Sequence, residues 1–205
     1  VFGLDQPIEA RNEYGKRELP LYAEMTLEGA EHLSGRLLTD SKFKERYVAA
    51  HRRYLDKAKS AWGVVEEGGI VNGVGQGVNL FVGKGVVLDH AQHVREAVVL
   101  GGFTAEEREE LERLASGRQA SPVLLPGLKE GQLVALKENS AETIAELEAD
   151  QTTVISDGAQ VDGGVFRPAS RVASGAQVKQ SFLDEHAVVE EGFSLAHAYV
   201  GPDNH

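Results

Sequence analysis

The sequence predicts a mainly β protein whose chain winds into a three-sided solenoid, with an α-helical N-terminal segment and a helical insertion. Two observations carry this prediction. Apolar residues recur in steps of five or six residues over 65–101 and 155–200. Three successive steps sum to 17 residues, so that GAQV at 158–161 repeats at 175–178. A step of about six residues fits one side of a triangular coil that directs one apolar side chain inward, and three sides complete the coil.

The two runs contain fifteen positions predicted to point inward, and fourteen of them are apolar. The position four residues after each inward position mostly holds a small or apolar residue. We therefore expect the side chain at that position to be confined near a corner of the coil. Ordinary antiparallel strands, the alternative, would alternate with a period of two. The predicted inward positions are Val65, Val71, Gly77, Val82, Leu88, Val94 and Val99, then Ile155, Val161, Phe166, Val172, Val178, Leu183, Val189 and Leu195.

Composition limits the classes of function. The 205 residues have a net charge of −11 and include no cysteine. The excess of acid opposes wholesale binding to nucleic acid or an anionic membrane, so we expect neither as a partner. The absence of cysteine excludes disulfides, thiolate zinc sites and a cysteine nucleophile, and fits a cytosolic or an exported protein. No apolar run has the length that spans a bilayer.

Residues 1–61 are predicted to combine weak strand signals, IEAR and LPLYAEM, with one amphipathic helix over 41–62. The apolar and aromatic residues of that helix, from Phe43 to Ala61, recur at helical spacing, and Asp40 or Ser41 can cap it. Its other face carries seven basic and two acidic side chains, a net charge of +5. That face is interpreted as solvated or paired within the chain, and the alternative is an anion-binding surface.

Residues 102–154 are predicted to be an excursion that leaves the solenoid at a corner. The capping box TAEE starts an expected surface helix over 104–116. A candidate strand over 132–137 and a second helix over 139–149 follow. We expect the acidic residues of the first helix to face the basic helix. The predicted units are therefore 1–61, 62–101, 102–154 and 155–205.

The repeats resemble the hexapeptide-repeat superfamily, whose fold is a left-handed parallel β-helix. The stretch from DGAQVDGG to AHAYVGPDN, preceded by VFG, GKRELPLY and an aromatic basic helix, is similar to large uncharacterised bacterial proteins described as a domain of unknown function. Their β-helix is similar to that of sugar nucleotidyltransferases. The resemblance implies the left hand, a homotrimer and a cytoplasmic, transferase-like protein. Because the repeats of those proteins extend further, we expect this chain to be a fragment.

The resemblance implies a transferase-like protein that acts on an activated acyl group or a nucleotide sugar at a subunit interface. Hexapeptide acyltransferases use a histidine as general base, and the substrate class implied here is a small anionic molecule. His197, His186 and His90 are the catalytic candidates, because each follows an inward position by two or three residues. The alternative is a noncatalytic trimeric scaffold or regulatory module.

A zinc enzyme similar to gamma-class carbonic anhydrases is the third hypothesis. His90 and His93, in DHAQH, are its weak candidate ligands, because positions three apart on a β-helix usually face different ways. The prediction is therefore that the chain has no metal site. The glycine-rich stretch 68–85 lacks the GK[ST] of a phosphate loop, and its glycines are interpreted as corner residues. No cofactor is indicated.

Overall fold

The computed structural model describes residues 1–6, 20–23, 25–102, 109, 113, 116 and 151–204. Two helices, α1 (Leu27–Thr39) and α2 (Ser41–Ala58), precede the strands. The strands are β1 (Val64–Val65), β2 (Ile70–Asn72), β3 (Gln76–Val82), β4 (Val87–Asp89), β5 (His93–Val99), β6 (Val154–Ile155), β7 (Gln160–Phe166), β8 (Arg171–Val172), β9 (Gln177–Leu183), β10 (Val188–Val189), β11 (Ser194–Ala196) and β12 (Tyr199–Val200).

The strands form a parallel β-solenoid of about five coils. One sheet has the order β1-β3-β5-β7-β9-β11, with β12 also on β9, and the other has the order β10-β8-β6-β4-β2. Register partners such as Val65 and Val82 are 17 residues apart. Across the insertion the separation is 67, as between Val94 and Val161. The predicted 17-residue coil is therefore confirmed, and the insertion adds 50 residues to one of them.

Each coil has three sides. The short strands β2, β4, β6, β8 and β10 form the first side, and the longer strands bend to supply the second and third sides. At the bend, residues with positive φ recur in register: Asn79, Glu96, Gly163, Gln180 and His197. The left-handed backbone conformation turns the chain there, and the strand pairing skips this residue and resumes with the next one.

The other two corners repeat in the same way. The corner between the third and first sides has positive φ at Gly68, Gly85, Gly102, Ala169, His186 and Asp203. The corner between the first and second sides has it at Gly73 and His90, and one register position later at Gly158, Gly175 and Gly192. The excursion leaves at a corner as predicted, since the backbone N–H of Gly102 donates to the carbonyl oxygen of Gln151 at 3.3 Å.

The interior ladder is buried from the second coil into the fifth. Every predicted inward position from Val82 to Val189 exposes at most 6 % of its surface. The first coil differs from the prediction: Val65 and Val71 expose 56 % and 47 %, and Gly77 is also exposed. These three positions follow the repeat, but among the described residues no coil stacks beneath them. Leu195, at the other end, is half-buried.

The N-terminal segment packs on the outside of the third side. Phe2, Leu21 and Met25 are buried against the outward-facing Val165 and Phe182, in a cluster separate from the interior ladder. Burial of these residues removes apolar surface from water on the outer side of the coils, for which the inward-facing repeat makes no prediction. The solenoid therefore has two cores, one inside the coils and one between the coils and the N-terminal helices.

The predicted helix over 41–62 is α2, which ends at Ala58. Its N-cap is Asp40, whose Oδ1 accepts from the backbone N–H of Phe43 at 2.9 Å. Helix α1 was not predicted. The expected strand in LPLYAEM is wrong for its described part, because residues 20–23 are irregular. The predictions for IEAR and for the strand and helix of 132–149 lie outside the described residues. Of the helix predicted over 104–116 only three residues are described, and two of them, Glu109 and Arg113, are helical.

Candidate functional site

The three candidate catalytic histidines occupy three different corners. His90 has φ 52°, His186 has φ 58° and His197 has φ 53°. His90 lies in the second coil, His186 at the corner after β9, and His197 between β11 and β12. The fold therefore confirms that they lie at corners, but it does not bring them together within one chain.

Backbone conformation accounts for these residue types. Non-glycine residues with positive φ are uncommon, and Asn, Asp and His are enriched among them. At the equivalent corner positions the chain has Asn79, Asp203 and several glycines. A histidine at such a position is therefore explained by the turn itself, and a role in catalysis requires a further reason.

His90 has the best defined surroundings of the three. Its Nδ1 lies 2.8 Å from Oδ1 of Asp89, and the histidine side chain is 56 % exposed. The side-chain amide of Asn72, one coil below, donates to the same Oδ1 at 2.8 Å. Hydrogen bonds from Asn72 and then from His90 hold the pKa of Asp89 below its ordinary value. The aspartate orients the ring of His90 at the surface.

His186 and His197 are held through their backbone. The backbone N–H of His186 donates to the carbonyl oxygen of Pro168 at 3.3 Å, and the backbone N–H of His197 donates to the carbonyl oxygen of Lys179 at 2.9 Å. His186 is partly exposed and His197 is exposed. Both imidazoles are therefore accessible.

The weak zinc candidates are separated by the turn between β4 and β5. His90 occupies the corner, whereas His93 lies in β5 with Gln76 and Gln160 as its register partners. Within the described ranges, no group of three or more His, Cys, Asp or Glu could hold a metal ion. The zinc hypothesis therefore gains no ligand set from these residues.

A cluster of charged residues that the sequence analysis missed lies at the corner after β7 and β9. Asp184 accepts hydrogen bonds from the hydroxyl of Tyr199 and from the backbone N–H of Glu185, the latter at 2.9 Å. Nε of Arg167 lies 3.4 Å from Oδ1 of Asp184, and its Nη2 donates to Glu185. The side chains of Arg167 and Asp184 are 16 % and 9 % exposed. The cluster thus links three successive coils.

The pKa of Tyr199 is raised above its ordinary value, first by burial and then by the hydrogen bond to Asp184. Its ring also stacks on Phe182 with centroids 4.9 Å apart. The phenol therefore stays neutral and donates to the carboxylate. This arrangement keeps the phenol protonated and brings the guanidinium of Arg167 against two carboxylates.

The repeat itself contained a signal for this cluster. Arg167 and Asp184 are 17 residues apart, so they are neighbours on adjacent coils. Asn79 and Glu96 are also 17 residues apart, and Nδ2 of Asn79 donates to Oε2 of Glu96 at 2.5 Å. Complementary polar residues one period apart therefore predict contacts between coils, as opposite residues on paired strands do.

Aromatic side chains of helix α2 form hydrogen bonds with the backbone of residues 20–23. The hydroxyl of Tyr47 donates to the carbonyl oxygen of Pro20 at 3.3 Å. Nε2 of His51 lies 2.7 Å from the carbonyl oxygen of Leu21, and the N–H of Ala23 donates to the hydroxyl of Tyr54 at 3.0 Å. Burial raises the pKa of Tyr47. These bonds satisfy backbone groups that a strand would have paired with a sheet.

The basic face of α2 stays in solvent. All seven of its cations are exposed, and none forms an ion pair with an acid in the part of the chain that the structure describes. Of the acidic residues predicted to face it, only Glu109 is described, and it pairs with Arg113. The basic residues are Lys42, Lys44, Arg46, Arg52, Arg53, Lys57 and Lys59.

None of the helices described is long and apolar enough to cross a membrane. Comparisons of the chain with protein-family models, with curated proteins and with solved structures found no match. The parallel solenoid is therefore what the residues and the structure support, and the superfamily, the left hand and the trimer remain implications of the resemblance.

Proposed function

We propose that this chain is a noncatalytic β-helical scaffold that holds other structural units at fixed positions. The observation that carries the proposal is the placement of His90, His186 and His197 at three separate corners. General-base catalysis needs the base within hydrogen-bond reach of the reacting proton, together with groups that bind the substrate. Each of these histidines instead occupies a turn position that favours its residue type.

The N-terminal segment supports the same proposal. Its apolar residues, among them Phe2, Leu21 and Met25, pack on one outer side of the coils. Gly3 has φ 76°, and a Cβ built on it would lie 1.9 Å from the carbonyl oxygen of Glu96. So close an approach between two backbones fixes the segment against the bend of β5. The solenoid thereby acts as a rigid platform for a unit of another type.

The excursion of residues 102–154 is also attached at a defined position on the solenoid. It leaves and re-enters at the corner marked by Gly102 and Gln151, which are joined by a backbone hydrogen bond. Successive coils are about 4.8 Å apart, so attachments at different coils are spaced at defined distances. A scaffold uses this regular spacing to hold the attached units at fixed distances from one another.

The transferase-like alternative needs an assembly that brings histidines of neighbouring copies together with a substrate. In the superfamily that the repeats resemble, this assembly is a trimer. A test can separate the two functions through a variant in which His90, His186 and His197 are all replaced by Asn. Asparagine tolerates positive φ, so the fold is expected to survive.

The experiment compares the wild type and the triple variant for thiol release from acyl thioesters and for turnover of nucleotide sugars. The scaffold proposal expects no turnover from either protein and similar circular dichroism spectra. Saturable turnover by the wild type that the folded triple variant loses would overturn the scaffold and support a transferase. Turnover retained by the triple variant would also overturn the scaffold, with a site elsewhere.

A further inference from the structure

Among the described residues, the first coil is the outermost one at its end of the solenoid, and it has an exposed apolar surface. Five of its residues are large, hydrophobic and 47 to 81 % exposed, whereas the equivalent residues of later coils are mostly buried or half-buried. We call this surface the first-coil face. It consists of Trp62, Val65, Ile70, Val71 and Val78.

The backbone of the first coil is also unpaired on this face. Among the described residues, β1 pairs only with β3, β2 pairs only with β4, and the first half of β3 pairs only with β5. One edge of each strand therefore offers free N–H and C=O groups. A free strand edge with apolar side chains is a template for another strand.

The usual protections of a free edge are missing. Residues 62–83 contain no Lys, no Arg and no Pro, and their only charged residues are Glu66 and Glu67. Soluble proteins discourage pairing at exposed edges with charged residues, especially Lys, and with Pro. An edge without them, joined to an apolar surface, marks an interaction site.

We infer that the first-coil face binds the same face of a second copy of this chain, in a two-fold end-to-end dimer. The outline of the face repeats that of every coil, so an identical face matches its three sides. When the two-fold axis passes through the side of Val71, the column that ends at Val71 continues into its counterpart, and the column that ends at Val65 meets the one that ends at Gly77. The low charge of the face leaves little repulsion between two acidic copies.

The two-fold arrangement is preferred because it closes. A contact between the first coil of one copy and the last coil of another would leave a free end on each, and it would repeat into filaments. A contact between two first coils uses the same surface on both copies and leaves no further first-coil face. Their facing edges run antiparallel, which is the commoner and slightly more stable pairing.

The size of the face sets the expected affinity. Residues 62–78, one 17-residue coil, form it. Standard protein interfaces use about 20–30 residues on each side, and smaller ones belong to weak complexes. We therefore expect a reversible dimer with a dissociation constant on the order of micromolar.

Sedimentation velocity of the full chain, from low micromolar to several hundred micromolar, tests the dimer. We expect the mass to rise from the 22.1 kDa of one chain to twice that value. Val71→Lys places a charge in the face and should keep the protein monomeric. Phe193→Lys is the matched control, because Phe193 is 62 % exposed in the last coil and should not affect the dimer.

A second measurement does not depend on a disruptive variant. The chain has no cysteine, so Glu67→Cys allows one spin label beside the first-coil face. The dimer predicts a short distance between two labels, which is absent when the label is at Glu191→Cys near the last coil. A wild type that stays monomeric throughout would overturn the inference. A trimer, open filaments, or a dimer lost in Phe193→Lys but kept in Val71→Lys would also overturn it, and the scaffold proposal would stand in every case.

Discussion

Val71 and Leu88 are register partners in β2 and β4, yet they differ completely in exposure. Val71 exposes 47 % of its surface and Leu88 exposes none. Both are inward positions of the same repeat, one coil apart. Their difference arises because Leu88 has coils on both sides, whereas Val71 has a coil on only one side in the part of the chain that the structure describes.

This pair gives the first prediction. Leu88→Ala should lower the free energy of unfolding by about 2–5 kcal/mol, because it leaves a cavity in the interior ladder. Val71→Ala should change it by less than about 1 kcal/mol under conditions where the protein is monomeric. Urea denaturation at low protein concentration measures both. Equal losses for the two variants would contradict an open first coil.

The second prediction concerns two glycines of the same solenoid. A Cβ at Gly164 would lie 2.4 Å from the carbonyl oxygen of Ser181, whereas a Cβ at Gly175 would meet nothing within 4 Å. Both have positive φ. Gly175→Ala should therefore cost only the backbone strain, about 1–2 kcal/mol. Gly164→Ala should cost more than about 4 kcal/mol or prevent folding.

Thermal denaturation followed by circular dichroism compares the two glycine variants. We expect the midpoint temperature of Gly164→Ala to be well below that of Gly175→Ala. A Gly164→Ala protein as stable as Gly175→Ala would mean that adjacent coils are not in close backbone contact at Ser181.

The third prediction concerns His197. His197 is exposed with φ 53°, so His197→Ala should leave the fold intact and change the free energy of unfolding by less than about 1 kcal/mol. His197→Gly should be at least as stable as His197→Ala, because glycine adopts positive φ without strain. Urea titration of the two variants measures this. A loss of several kcal/mol in His197→Ala would identify a packing residue instead.

The fourth prediction concerns the buried pair of Arg167 and Asp184. Asp184→Ala removes one of the two carboxylates that Arg167 contacts and leaves the hydroxyl of Tyr199 without its acceptor, while Glu185 still pairs with the guanidinium. It should therefore cost about 1–3 kcal/mol. Arg167→Met should cost less in the Asp184→Ala background than in the wild type, because one of the two ion pairs of Arg167 is already absent. Asp162→Ala is the control, since Asp162 is exposed and forms no ion pair within the described residues, so it should cost little.

Chemical denaturation of the single and double variants gives the coupling between the two sites. If the double variant loses as much as the sum of its single variants, Arg167 and Asp184 act independently, contrary to the structure.

The fifth prediction concerns alkaline pH. Burial raises the pKa values of both Tyr47 and Tyr199 above the ordinary value of 10.0. A group whose pKa is raised on folding stabilises the protein below its unfolded pKa, and that contribution is lost as the pH rises beyond it. Stability should therefore decrease above about pH 10. Each tyrosine should contribute less than about 1.4 kcal/mol per pH unit, since partial exposure screens the effect.

Urea denaturation from pH 8 to pH 11.5 measures the slope. The double variant Tyr47→Phe/Tyr199→Phe should lose stability less steeply above pH 10 than the wild type, whatever its stability at neutral pH. Equal slopes would show that neither phenol is held neutral by the fold. All other ionisable groups are common to both proteins, so the comparison isolates the two phenols.

Periodicity predicted the interior of the solenoid well because each coil repeats the same physical requirement. Leu88, Ile155 and Val172 had to be apolar for the coils to share one core, and all three are buried. Helix α2 was predicted for a similar reason, since its aromatic residues follow the helical period. In both cases the signal is local and repeats along the chain.

The sequence alone therefore determined the coil length, the inward side chains, the corners and helix α2. Only the tertiary structure decided where stacking ends, which outer side Phe2 and Met25 cover, and that Arg167 reaches Asp184. It also separated His90, His186 and His197 among three corners. The physical reason is that a period specifies neighbours one coil away, whereas the ends, the outer packing and the grouping of polar residues depend on segments distant in sequence, whose contacts leave no repeating pattern.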